Sequence, residues 1–350
     1  MGSQRNYGID LLRLVLMYMV CILHTLGQGG ILNACQEGTT EFRVFWFIEI
    51  LAYCAVDGFA IISGYTAADR PRKYEKLADM WFQAFFYSFV LTVILTVTGL
   101  NPGWSIKGLI KLALPVTFET FWYFTAYFAL FFAIPVLNRF VFSVDEKTAR
   151  TALLVCMVLF TCVELLAGAF KTQGGYSALW LMVLYCVGAL TRCGKLFEQK
   201  KTATLLMLWG LCILLTWCVR IFAGIGRLTN YVSPTIAASG LIMVILFSRL
   251  HLKGKVIAKI TPLAFGIYLF QLSPVIWNNC LRGAVSSVVQ MSIPAGVVCV
   301  FAVAALIFFS GLLVELVRSG LAKVLRISTL SEHIVSVVSR LLNKMSAMLS

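Results

Sequence analysis

Ten long apolar runs separated by short polar or basic loops constrain this chain more than any other feature. They lie at Ile9–Leu26, Val44–Ser63, Phe82–Gly99, Phe121–Leu137, Thr151–Ala169, Tyr176–Leu190, Thr202–Ile221, Thr235–Phe247, Pro262–Trp277 and Ile293–Val317. A helix of about 20 apolar residues crosses the hydrocarbon layer of a bilayer, and its backbone groups are satisfied within the segment. The expected fold is therefore an all-α polytopic membrane protein with about ten transmembrane helices. Composition agrees, since 60% of the 350 residues are hydrophobic and only 13% are charged, against about 25% charged in soluble domains. The runs leave no room for a large extramembrane enzyme domain. The sixth and eighth are short, so either could be tilted or broken. The first is retained rather than cleaved, because Asp10 and Arg13 interrupt it and no small-residue cleavage site follows.

The net charge of +14 would suggest nucleic acid in a soluble protein. Here the basic residues sit between apolar runs, which makes them topology determinants and excludes nucleic acid as a partner. Of the 29 lysines and arginines, Arg43, Lys107, Lys111, Lys171, Arg220, Arg227 and Arg282 fall on one side of the alternating loops. Arg13 lies within the first run, and all the others fall on the opposite side. Lys and Arg accumulate on the cytoplasmic side, so both termini are expected there and the helix number is even. Trp104–Leu114 is amphipathic and expected at the outer surface. Leu321–Leu349 is a basic amphipathic tail, read as an interfacial helix on the cytoplasmic leaflet. The division is a membrane domain over 1–320 and a cytoplasmic tail over 321–350. Most of the 11 cysteines lie within apolar runs without metal-type spacing and read as small buried hydrophobes. A bridge between Cys35 and Cys280 in the outer loops is left open.

Ionisable side chains are expensive inside a bilayer and default to functional candidates. Arg13 and His24 are eleven positions apart, which places them on one face of the first helix, separated by about 16 Å along its axis. Asp10 falls on the same face. One helix thus carries a polar seam from an ion pair near the cytoplasm to an imidazole in its outer half. The competing structural account is an edge ion pair and a helix-capping His. By depth, His24, Glu49, Trp122, Glu164, Arg220 and Gln271 could share a layer. A Glu164–Arg220 ion pair is an alternative to a role in chemistry, and Trp122 and Tyr123 could be aromatic-belt residues.

Four segments in order resemble the acyltransferase 3 family of integral membrane acyltransferases: YGIDLLRLVLMYMVCILHTLG around Arg13 and His24, VDGFAIISGY at Val56–Tyr65, FWYFTAYFALFFAIPVLN at Phe121–Asn138 and TPLAFGIYLFQ at Thr261–Gln271. In the last, Gln271 stands where many members have His. The basic segment after Ser63-Gly64-Tyr65 is sparser in arginine than in some members. The resemblance implies transfer of an acyl group, commonly acetyl, from cytoplasmic acyl-CoA to a hydroxyl of an envelope carbohydrate or lipid-linked acceptor. The setting is a bacterial cytoplasmic membrane. On this reading His24 is the general base and Arg13 and Asp10 organise the cytoplasmic entrance. Asp57, Ser63, Tyr65, Arg70, Arg72 and Lys73 meet the acyl-CoA, and Glu49, Trp122, Tyr123, Glu164 and Gln271 meet the acceptor. No metal is expected, and a homodimer is left open. The alternative is a transporter or flippase for a small solute such as an amino acid, using the Asp10, Arg13 and His24 seam.

Overall fold

The computed structural model describes residues 5–67, 73–100, 103 and 105–349. Every regular element among the described residues is a helix, and none is a strand. In chain order the principal helices are α1 (Tyr7–Leu26), α2 (Thr40–Tyr65), α3 (Tyr74–Val97), α4 (Ile106–Ala113), α5 (Trp122–Ser143), α6 (Glu146–Ala167), α7 (Ala178–Cys193), α8 (Thr202–Phe222), α9 (Pro234–Ser248), α10 (Lys255–Gln271), α11 (Ile293–Val324) and α12 (Ile327–Leu349). Seven are long and apolar enough to cross a membrane among the described residues, namely α1, α2, α3, α5, α6, α8 and α11. The shorter apolar helices α7 and α9 coincide with the two short runs. The chain bends by 70° after α10, where Pro274 removes a backbone donor and biases Ser273 away from helical dihedrals.

Burial separates the centre of the bundle from its rim. Within the most apolar windows, 67% of the α1 region and 72% of α2 are buried, against 17% of α8 and 22% of α11. The first pair therefore forms the core, while the outer helices present apolar faces to lipid. Leu12, Leu16, Cys21 and Leu26 of α1 are fully buried, and α1 packs against α2, α9, α10 and α11. Lipid tails are as apolar as leucine, so close backbone approach at small residues must hold such helices together. A Cβ on Gly64 of α2 would lie 1.8 Å from the Tyr185 carbonyl oxygen, and one on Gly188 of α7 would lie 2.1 Å from that of Ile61. Only glycine on both helices permits this crossing.

The Lys- and Arg-rich loops gather at one end of the bundle. There Arg192 donates to the Ala67 carbonyl at 2.7 Å, Arg249 to the Phe197 carbonyl at 2.5 Å and Asn6 to the Ser248 carbonyl at 2.7 Å. α3 begins at Tyr74 rather than at Phe82, because α12 packs alongside this added stretch; Tyr74, Leu77 and Trp81 face Val338 and Leu342 across a groove between the two helices. Ser331 of α12 donates to Asp79 of α3 at 2.6 Å. α11 runs to Val324, past the Val317 limit of its apolar run, and α12 follows after a brief turn. The amphipathic segment around Ile106 forms α4 with Ser105 as its N-cap, whereas Trp104 lies outside the described residues. All 11 cysteines are free thiols, so Cys35 and Cys280 are not bridged.

Candidate active site

The eleven-residue spacing on α1 carries directly into three dimensions. Arg13 and His24 line the same cavity, of about 520 Å³, which runs through the bundle between α1, α2, α5 and α10. Asp10 does not line it. Instead its Oδ1 accepts from Arg13 Nη1 at 2.8 Å and its Oδ2 from Arg5 Nε at 2.5 Å. The buried carboxylate thus holds Arg13 at the cavity wall on the side of the chain termini.

His24 is held from two directions. Its Nδ1 lies 2.9 Å from Gln271 Oε1, and the indole of Trp277 meets its ring edge-on with centroids 4.9 Å apart. Gln271 is fully buried and its Nε2 is turned to the Met17 sulfur at 3.8 Å, leaving the carbonyl for the imidazole. An amide oxygen only accepts, so Nδ1 carries the hydrogen and Nε2 keeps the lone pair. Gln271 therefore fixes the tautomer in which the second nitrogen is a base.

Further along the cavity stand Glu49, Trp122 and Tyr123, together with Tyr53, Tyr176, Tyr231 and Tyr268. No hydrogen bond from the described residues reaches the buried Glu49 Oε2, and the buried Tyr268 hydroxyl lies against the backbone of Tyr123 and Phe124. Tyr53, Tyr176, Tyr231 and Tyr268 come from separate helices and loops, so no spacing in the sequence groups them. Only the coincidence of Tyr268 and Gln271 on one face of α10, three residues apart, offered a signal.

A family model described as an acyltransferase domain matches residues 6–315. The chain belongs to the acyltransferase 3 family. The match starts just before α1 and ends within α11, so it takes in every helix that lines the cavity. Neither the curated proteins nor the solved structures yield a match.

The other described residues expected in the site of this acyltransferase 3 member lie off the cavity wall. Asp57 is fully buried and its Oδ1 accepts from the Trp180 indole at 3.0 Å. Ser63 donates to the Phe59 carbonyl at 3.1 Å, as hydroxyls commonly do within apolar helices, and the Tyr65 hydroxyl donates to Ser248 Oγ at 3.2 Å. Lys73 is exposed just before α3, whereas Arg70 and Arg72 lie outside the described residues. Glu164 is not in the cavity layer, because its carboxylate accepts from the backbone N–H groups of Phe170 and Thr172 at 2.6 and 2.8 Å and from the Thr172 hydroxyl at 2.6 Å. The Glu164–Arg220 pair is not formed either. Arg220 faces Glu37 at 3.6 Å and stacks 4.4 Å over the Trp46 ring.

Proposed function

We propose that this membrane protein transfers an acyl group, acetyl being the expected one, from cytoplasmic acyl-CoA to a hydroxyl of an envelope carbohydrate or lipid-linked acceptor. The observation that carries the reading is the bond between His24 Nδ1 and Gln271 Oε1 at 2.9 Å inside a cavity that Arg13 also lines. Nε2 of His24 takes the proton of the acceptor hydroxyl as its oxygen attacks the thioester carbonyl carbon. Collapse of the tetrahedral intermediate breaks the C–S bond, and the imidazolium returns the proton to the departing CoA thiolate. The Tyr268 hydroxyl lies on the cavity wall against the backbone of Tyr123 and Phe124, and its own hydrogen is the donor suited to the oxyanion.

The donor enters from the end where the basic loops gather, with Arg70, Arg72 and Lys73 attracting its phosphates and Arg13 at the mouth. An extended pantetheine arm then spans about 16 Å along α1 to bring the thioester to His24. The acceptor comes from the opposite end, past Glu49 and Trp122. Gln271 is a positioning residue here and takes the orienting part that a carboxylate plays in other acyl-transfer sites. Solute passage is the competing reading, favoured by a cavity that has Arg13 toward one end and Tyr176 toward the other. Purified protein in nanodiscs, given acetyl-CoA and envelope extract, tests both. Thiol release coupled to labelled acetyl in the extract is expected. Uptake of labelled amino acid into proteoliposomes without thiol release would favour passage.

A further inference from the structure

Glu49 is the most conspicuous polar group that the transfer chemistry leaves unused. It is 7% exposed, makes no hydrogen bond or ion pair among the described residues, and lines the cavity with Oε2 unpartnered. An isolated buried carboxylate is costly, and such groups are ordinarily paired with a cation or bonded on every side. Among the described residues no lysine, arginine or histidine pairs with it, and Arg220 is directed to Trp46 and Glu37. Glu49 is therefore open to a partner brought by a ligand in the cavity it lines.

What surrounds Glu49 narrows the chemistry. Tyr53, Tyr176 and Tyr231 all lie within electrostatic reach of its carboxylate. Tyr53 and Tyr231 have ring centroids 4.8 Å apart, Tyr176 and Tyr231 5.1 Å, and Tyr176 and Trp122 4.6 Å. Together they make a continuous aromatic wall on the same cavity. Tyr231 is buried at its base, while Tyr176 is 44% exposed at its rim. Aromatic faces attract ammonium groups and stack on the C–H faces of sugar rings, and a carboxylate adds a charge-assisted hydrogen bond that a neutral hydroxyl cannot match.

We infer that Glu49 and this aromatic wall form a subsite for a protonated amine, so that the acceptor is a hydroxyl compound carrying an ammonium group, such as an amino sugar or amino alcohol. The inference rests on the cavity being the acceptor site of the proposed transfer, and it names the class of that acceptor. The hydroxyl then reaches His24 while the ammonium is held at Glu49, one group on each of two adjacent central helices.

The test is a binding measurement that needs no acyl donor. Wild-type protein in nanodiscs is titrated calorimetrically with glucosamine and with glucose, which differ only in the amine. Glucosamine is expected to bind about tenfold more tightly. Glu49→Gln keeps the shape and hydrogen-bonding capacity but not the charge, and it is expected to abolish the preference for glucosamine over glucose. Tyr176→Leu, at the exposed rim, is expected to weaken glucosamine binding by about threefold in a protein of unaltered thermal stability. Equal binding of the two sugars, failure of both to bind at their solubility limit, or a preference surviving Glu49→Gln would overturn the subsite. Acyl transfer observed without any amine preference would remove the subsite and keep the enzyme, whereas amine binding without transfer would do the reverse.

Discussion

Replacing Gln271 with leucine removes the one acceptor that His24 Nδ1 has among the described residues while keeping the volume of a fully buried side chain. The imidazole loses a hydrogen bond and its Nδ1 donor is left unsatisfied, at a cost of about 1–3 kcal/mol. The hydrogen is then free to move to Nε2, which removes the lone pair that faces the acceptor. Each 1.4 kcal/mol is a factor of ten, so kcat should fall roughly 5- to 150-fold while KM for acyl-CoA changes little. Gln271→Glu supplies an acceptor at the same position and should restore most of the loss, because a carboxylate selects the same tautomer and stabilises the imidazolium. Steady-state thiol release over a range of acetyl-CoA concentrations, with thermal unfolding followed in parallel, reads both quantities. A folded leucine variant with unchanged kcat, or a glutamate variant as slow as the leucine one, would refute the assignment of Gln271 as the group that sets the His24 tautomer.

Two further substitutions probe the frame that holds the site. Asp10→Asn leaves Arg13 and Arg5 without their shared carboxylate; since both arginines are partly exposed, the loss should be about 1–3 kcal/mol, seen as a lower unfolding temperature in detergent, and an unchanged melting curve would contradict the pairing. Gly188→Val forces a side chain against the Ile61 carbonyl oxygen and the Tyr65 backbone nitrogen, 2.1 and 2.8 Å from an ideal Cβ. Backbone cannot yield as a side chain can, so destabilisation of about 3 kcal/mol is expected, and a variant as stable as wild type would show that α2 and α7 do not cross there.

The α1 seam is legible in the sequence because Asp10, Arg13 and His24 belong to one helix, where spacing alone sets the relative direction of side chains, although Asp10 turns to the two arginines and not to the cavity. That arithmetic placed Arg13 and His24 on a common wall, as the cavity has them. It could not find the partner of His24, which lies 247 positions away on α10 and depends on how two helices rotate against each other. The aromatic wall was illegible for the same reason, with Tyr53, Trp122, Tyr176 and Tyr231 arriving from two helices and two connecting segments. Glu164 shows the limit of arguing from depth. Its level in the membrane suggested the cavity layer, but Gly168, at φ 61°, ends α6 and turns the following chain back so that the N–H groups of Phe170 and Thr172 reach the carboxylate. The early start of α3 is hidden by charge, since the polar face of Tyr74–Trp81 reads as loop until α12 is known to pack alongside it.

The central claim is that His24 acts as the base, and chemical rescue tests it most directly. His24→Ala, checked for folding, is assayed in nanodiscs for transfer of labelled acetyl from acetyl-CoA to envelope extract, with and without added imidazole. The wall that loses a side chain borders a cavity of about 520 Å³, so free imidazole has room to enter the vacated space. The account predicts that transfer is lost in the variant and partly returns with imidazole. Transfer at the wild-type rate in the folded variant without imidazole would contradict it.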